Sequence, residues 1–179
     1  MENVDTEDRE NGQFHKKKYQ EDNEMKGKYM AYVGSYSYTG KAKGITVFDV
    51  DLEKGLFIPR CEEAVNNASY LVASNSGKVL YSIADEGVVS FRILENGSLA
   101  RLNTAGIRGM RGCHLSTDAS DKYLFVSGFH DGKSTVLRLN KDGPAGEIVD
   151  AGFHTGLGTG AERTFPPPLP RHRRKPTHQ

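Results

Sequence analysis

One short pattern recurs three times along this chain at a nearly constant spacing. It is a lysine followed by an apolar run, and the copies read Lys28-Tyr-Met-Ala-Tyr-Val, Lys78-Val-Leu-Tyr-Ser-Ile and Lys122-Tyr-Leu-Phe-Val-Ser, at offsets of 50 and 44. Two further landmarks keep almost the same period: Phe48, Phe91 and Leu137, then the turn glycines Gly55, Gly97 and Gly143. Self-similarity at a fixed period indicates a supersecondary unit used repeatedly.

The residues inside each unit predict strands. Short apolar runs alternate with Gly, Asn, Asp and Ser, and no window of eleven or more residues has apolar positions at the helical period. The fold class is therefore all-β. The candidate strands are Tyr29–Val33, Ile45–Val50, Val79–Ile83, Val88–Ile93, Tyr123–Val126 and Thr135–Leu139.

The period selects an architecture. Roughly 40 to 50 residues per four-stranded unit is the size of a β-propeller blade, whereas a β-sandwich accounts for the strands but not for the longer repeat. Propellers close with roughly four to eight blades, and this chain supplies about three. The first unit also lacks its inner strand, because nothing like Tyr70–Ala73 or His114–Thr117 precedes Lys28.

The two terminal segments differ from the repeats. Residues 1–27 have few sizeable apolar side chains and are predicted to be a disordered polar tail. Residues 164–179 are rich in Pro and Arg and are predicted to be a second disordered tail, while residues 28–163 form the partial propeller.

Charge and composition exclude several classes. Residues 29–161 carry fourteen acidic and thirteen basic side chains, and this balance argues against nucleic-acid binding. Cys61 and Cys113 have neither zinc-ligand nor disulfide-framework spacing, which favours a reducing, cytoplasmic setting. No apolar run approaches the roughly 18 residues of a membrane-spanning helix, so no membrane is expected.

Five segments carry a resemblance to a known family. They are Tyr32-Val-Gly-Ser-Tyr-Ser-Tyr-Thr-Gly40, Gly44-Ile-Thr-Val-Phe-Asp-Val-Asp51, Asn67-Ala-Ser-Tyr-Leu71, Gly112-Cys-His-Leu-Ser-Thr-Asp118 and Asp121-Lys-Tyr-Leu-Phe-Val126. Over about residues 28–163 the chain resembles the bacterial lactonase propellers typified by 6-phosphogluconolactonase. The resemblance implies a seven-bladed ring of which about the first three blades are present.

The resemblance also implies a chemistry. It is hydrolysis of a sugar-phosphate δ-lactone to 6-phosphogluconate in the oxidative pentose phosphate route, without cofactor or metal. A base must activate water, and cationic groups must hold the phosphate and the developing oxyanion. His114, at the start of an inner strand, is the candidate general base, and Arg111 is the candidate phosphate or oxyanion partner. Glu162 and Arg163 are candidate substrate-binding residues.

The candidate base has a structural alternative, and other polar motifs are predicted to be turns. His114 aligns with Tyr70 of the preceding unit, so it could fill a repeated packing position with a satisfied hydrogen bond. Asp85-Glu86 and His130-Asp131 are predicted at hairpin turns, where solvated polar residues are expected. Gly128–Ser134 resembles a phosphate loop but joins two strands, and is predicted to be a hairpin turn.

The tail suggests why only three units are found. The family pattern stops after Glu162-Arg163, and five of the seven prolines follow within fourteen residues. We interpret this change as a reading-frame shift near residue 160. A Pro-x-x-Pro segment at Pro167–Pro170 offers the alternative of a polyproline II ligand. We expect the chain alone to have little or no activity, or to act as a non-catalytic binding or assembling module, with exposed sheet edges that invite self-association.

Overall fold

A computed structural model describes residues 29–154, and within this range all regular structure is β-strand. The eleven strands are β1 (Tyr29–Gly34), β2 (Gly44–Asp51), β3 (Leu56–Ala64), β4 (Leu71–Ala73), β5 (Val79–Ala84), β6 (Gly87–Ile93), β7 (Leu99–Ala105), β8 (Gly112–Thr117), β9 (Tyr123–Gly128), β10 (Lys133–Leu139) and β11 (Ala145–Phe153). All six strands expected from the sequence are present, each with bounds within two residues of those expected.

The strands form three antiparallel meanders. The first sheet has the order β1-β2-β3, and the second and third are four-stranded, β4-β5-β6-β7 and β8-β9-β10-β11. The prediction of an all-β chain with about three propeller blades is confirmed. Within residues 29–154 the first blade also lacks its inner strand, as the repeat indicated.

The register of the first repeat differs from the alignment by one residue. Ala31 pairs with Phe48 and Leu80 pairs with Phe91, so Ala31 and Leu80 occupy equivalent positions at an offset of 49. The offset of 50 obtained by matching the two lysines is therefore wrong. A one-residue slip in a strand moves every side chain to the opposite face, so the correction decides which residues meet between blades.

Side chains of β5 alternate between two cores. Val79, Tyr81 and Ile83 belong to the core between the second and third blades. Leu80 and Ala84 belong to the core between the first and second blades. Every residue of β5 is consequently buried, because its sheet is covered on both faces.

A tyrosine joins each blade to the next. The Tyr32 hydroxyl donates to the Gly97 carbonyl over 2.9 Å, and the Tyr81 hydroxyl donates to the Gly143 carbonyl over 2.7 Å. Burial, and then the charge of Asp121, raise the pKa of the Tyr81 phenol, so it remains a donor. The third equivalent residue is Phe125, which is 40% exposed on the far side of the third blade.

A carboxylate also joins the second and third blades, at the same end of the strands as Gly143. Asp121 has a positive φ of 51°, and its side chain accepts hydrogen bonds from the Asn75 and Ser76 backbone N–H groups. Partial burial raises the pKa of Asp121, but the hydrogen bonds from Asn75 and Ser76 outweigh it, so the pKa lies below its usual value. The Asp121 carboxylate is therefore ionised at neutral pH and accepts these hydrogen bonds between the two blades.

Apolar side chains are exposed on the two outer blades. Tyr29, Val33 and Phe57 of the first blade are 49%, 42% and 59% exposed, and Phe57 lies edge-on to Phe48 at 5.7 Å. Phe125 and Val149 of the third blade are also exposed. Large exposed apolar side chains on outer sheets favour association.

We expect the full chain to self-associate when it is expressed alone. Light scattering coupled to size exclusion should show oligomers or aggregate, and Phe57→Ser combined with Phe125→Ser should increase the monomer fraction. Tyr38→Ser is the matched control, since Tyr38 is 77% exposed but lies on a loop between strands. A monodisperse monomer with a cooperative thermal transition would contradict the expectation.

Candidate functional site

Five connections meet on one face of the three blades, here called the upper face. They are residues 35–43, 65–70, 85–86, 106–111 and 129–132. In an antiparallel meander alternate connections lie at the same end of the strands, which places these five together. The inner strands β4 and β8 both begin at this face.

Arg111 lies immediately before β8 and contacts two of the other connections. Its Nη1 donates to Asp85 Oδ1 over 3.1 Å, and its guanidinium carbon lies 5.1 Å from the centre of the Tyr36 ring. This geometry combines an ion pair with a cation–π contact. Among residues 29–154 no hydrogen bond is made by Nε or Nη2 of Arg111, so these donors can take an anion.

Asn67 connects the neighbouring loops. Its side-chain Oδ1 accepts hydrogen bonds from the backbone N–H groups of Ser37 and Tyr38 over 3.0 and 3.2 Å. Its Nδ2 donates to Asp85 Oδ2 over 2.7 Å. The loop that carries Tyr36 and the turn that carries Asp85 are thereby tied to one residue.

The loop before Arg111 is held by the third blade. Lys133, which is buried, donates from Nζ to the carbonyls of Ile107 and Arg108 over 2.9 and 2.6 Å. The Asp131 carboxylate accepts from the backbone N–H of Met110 over 2.9 Å. These bonds satisfy the polar groups of an otherwise irregular segment in which Arg108 has a positive φ of 50°.

His114 is exposed on β8, with its ring 4.8 Å from the Tyr70 ring and tilted by 52°. The pairing register shifts between Gly112 and His114, and such bulges re-aim side chains. Its position does repeat that of Tyr70, but no hydrogen bond to its imidazole is present among the described residues.

The candidate residues fall into two groups. Arg111 and His114 are three residues apart at the beginning of β8, roughly 10 Å by strand rise, and no hydrogen bond joins them among residues 29–154. Glu162 and Arg163 lie outside the described residues, as do both predicted tails and the Pro-x-x-Pro segment.

Asp85 belongs to this cluster of contacts, although the sequence did not single it out. It lies at a hairpin turn as expected, but its carboxylate bonds both Arg111 and Asn67. The repeat could have indicated this pairing. The turn that carries Asp85 and the loop that carries Arg111 both belong to the connections at the upper face. Gly128–Ser134 is a hairpin connection between β9 and β10, as expected.

A groove of about 670 Å³ opens on the opposite face, between the second and third blades. Its charged lining is mixed and consists of Lys78, Arg92, Glu95, Asp121, Lys141 and Asp142. Within residues 29–154 no group of three His, Cys, Asp or Glu side chains could hold a metal ion, and no helix could span a membrane.

Comparison with known proteins identifies a family. The family model described as lactonase, seven-bladed β-propeller, matches residues 30–168. A 6-phosphogluconolactonase from Bacillus subtilis is 34% identical over 137 residues, covering 73% of this chain and 39% of the relative. A 6-phosphogluconolactonase from Formosa agariphila is 29% identical over 135 residues, covering 71% and 38%.

Solved structures agree with these matches. A Bacteroides fragilis protein, provisionally assigned as a 6-phosphogluconolactonase, superposes with a TM-score of 0.70 at 31% identity, covering 77% of this chain and 40% of the other. The periplasmic gluconolactonase of Pseudomonas aeruginosa, at 23% identity and a TM-score of 0.64, shares the fold. The chain spans about two fifths of the length of the relatives it matches.

Proposed function

Because the chain belongs to the lactonase family of seven-bladed β-propellers, we propose that its three blades contribute to an enzyme hydrolysing 6-phosphoglucono-δ-lactone to 6-phosphogluconate. The observation that carries the proposal is Arg111, fixed at the upper face by Asp85 and Tyr36 with Nε and Nη2 unbonded among residues 29–154. An anionic substrate and an oxyanion-forming reaction both require such a group.

His114 acts as the general base in this proposal. Its neutral imidazole takes a proton from water as the water oxygen attacks the lactone carbonyl. The tetrahedral oxyanion collapses, the bond between the carbonyl carbon and the ring oxygen breaks, and the imidazolium returns its proton to that oxygen. The product is the open-chain hydroxy acid, and no cofactor or metal takes part.

Arg111 supplies positive charge in one of two places. It either binds the phosphate, which is present throughout the reaction, or stabilises the oxyanion, which exists only near the transition state. The first role would affect KM and the second kcat. The remaining cationic groups would come from the other blades of the ring.

Further parts of the proposal concern context. The substrate and product place the enzyme in the oxidative pentose phosphate route, and the cysteine usage favours the cytoplasm. The partner is a sugar-phosphate lactone rather than nucleic acid or membrane. Cell fractionation with an antibody tests the location. The test is informative because the Pseudomonas aeruginosa gluconolactonase, which shares the fold, is named as periplasmic.

The test is hydrolysis by the full chain with and without a complementing polypeptide, defined as the part of the Bacillus subtilis relative that this chain does not match. Formation of 6-phosphogluconate is measured against the spontaneous reaction. We expect turnover only from the mixture, because the central channel of a closed propeller is lined by blades from the whole ring. Stable complex formation without turnover would refute the enzymatic proposal and favour the binding-module alternative.

A further inference from the structure

We propose that Asp85, itself anchored by Asn67, is the positioning residue that fixes the Arg111 guanidinium at the upper face. The inference rests on the proposed function, since it assigns Arg111 a task there. It adds to that function a turn of the second blade, whereas Arg111 directly precedes the third blade.

The contacts form a closed circuit. Arg111 pairs with Asp85, and Asp85 accepts from Asn67. Asn67 accepts from the backbone N–H groups of Ser37 and Tyr38, and the ring of Tyr36, which precedes Ser37, contacts Arg111. The circuit takes residues from four of the five upper-face connections. Each oxygen of the Asp85 carboxylate has a separate partner, which restricts rotation of that side chain.

Exposure indicates that the pair serves position rather than stability. The Asp85 and Arg111 side chains are 49% and 29% exposed, and exposed ion pairs contribute little to the free energy of folding. A restrained arginine nevertheless loses less conformational freedom when it binds an anion. Asp85 is therefore a residue whose replacement should change substrate handling more than folding.

The backbone at Asn67 supports the same role. Its φ of 55° lies in the left-handed region, which glycine and asparagine adopt readily and most side chains avoid. Asparagine is thus suited both to the turn and to bridging the Asp85 carboxylate. Asn67→Gly keeps the backbone conformation and removes the side chain that bonds Asp85 and the backbone of Ser37 and Tyr38.

Arginine modification by phenylglyoxal, resolved peptide by peptide with mass spectrometry, tests the positioning in the full chain. We expect Asp85→Asn to raise the rate at Arg111 by about threefold, the population change that an exposed ion pair supplies. Asn67→Gly should raise it less, and Asp85→Glu should restore protection. Asp49→Asn is the matched control, because Asp49 pairs with Arg60 elsewhere and its loss should expose Arg60 alone.

Internal standards separate positioning from unfolding. In Asp85→Asn the modification rates of Arg92 and Arg101 should be unchanged. If the modification rates of all arginines rise together, that variant is unfolded and Asn67→Gly becomes the deciding variant. An Arg111 that reacts like Arg92 in the unaltered chain, or no change at Arg111 in the deciding variant, would overturn the proposal.

The hydrolysis assay adds an independent readout. In the complemented enzyme, Asp85→Asn should lower kcat/KM by about tenfold, with partial rescue by Asp85→Glu. If no variant hydrolyses the lactone but Arg111 is protected only when Asp85 is present, the proposed function fails and the positioning role stands. If hydrolysis is unaffected by Asp85→Asn, the positioning role fails and the function stands.

Discussion

Replacing His114 by alanine is expected to lower kcat/KM for 6-phosphoglucono-δ-lactone in the complemented enzyme by about 10²- to 10⁴-fold, the contribution of a general base. The imidazole is exposed at the start of an inner strand and makes no hydrogen bond within residues 29–154. No other imidazole in that range has the same position at the start of an inner strand. The measurement is the initial rate of 6-phosphogluconate formation, corrected for spontaneous hydrolysis.

His130→Ala is the matched control for His114. His130 lies on the turn between β9 and β10, with its ring against Phe129, and it should change the rate by less than about twofold. Equal rates in the His114 variant and the control would show that His114 only fills the position that Tyr70 fills in the preceding blade.

Replacing Gly87 by alanine is expected to destabilise the second blade by more than about 3 kcal/mol. A Cβ at Gly87 would lie 2.3 Å from the Ala105 carbonyl oxygen, which is backbone and cannot move aside. The φ of 133° is itself unfavourable for any side chain. Proteolysis across a urea series, read by fragment mass in the complemented complex, measures the loss.

Gly106→Ala provides the comparison for Gly87. Gly106 lies just after β7, has an ordinary φ, and has open space where a Cβ would be placed. Its urea midpoint should remain close to that of the unaltered chain. Similar midpoints for the two variants would contradict the packing seen between β6 and β7.

The repeat explains why so much of the fold could be predicted. Apolar runs such as Val79–Ile83 are nearly continuous, which is typical of a strand covered on both faces, and the turn glycines Gly55, Gly97 and Gly143 all have positive φ. The outer strands β3, β7 and β11 were required by the period, but their bounds were not evident. β3 shows why, because it contains Pro59 and several charged residues, as an edge strand tolerates.

The site was less predictable because it depends on contacts between loops. Arg111 and His114 follow from their place before and within an inner strand. The pairing of Arg111 with Asp85 joins residues 26 apart, and no local pattern distinguishes Asp85 from a solvated turn residue. The one-residue error in register has the same cause. Aligning Lys28 with Lys78 uses residue identity alone, whereas the correct offset depends on which residues pair between neighbouring strands.

The most direct measurement of the central claim is a crystal structure of the complemented enzyme with bound 6-phosphogluconate. We predict that the product lies at the upper face, with an anionic group on Arg111 and the carboxyl carbon near His114. Product found in the groove on the opposite face, against Lys78, Arg92 and Lys141, would contradict the assignment of the site.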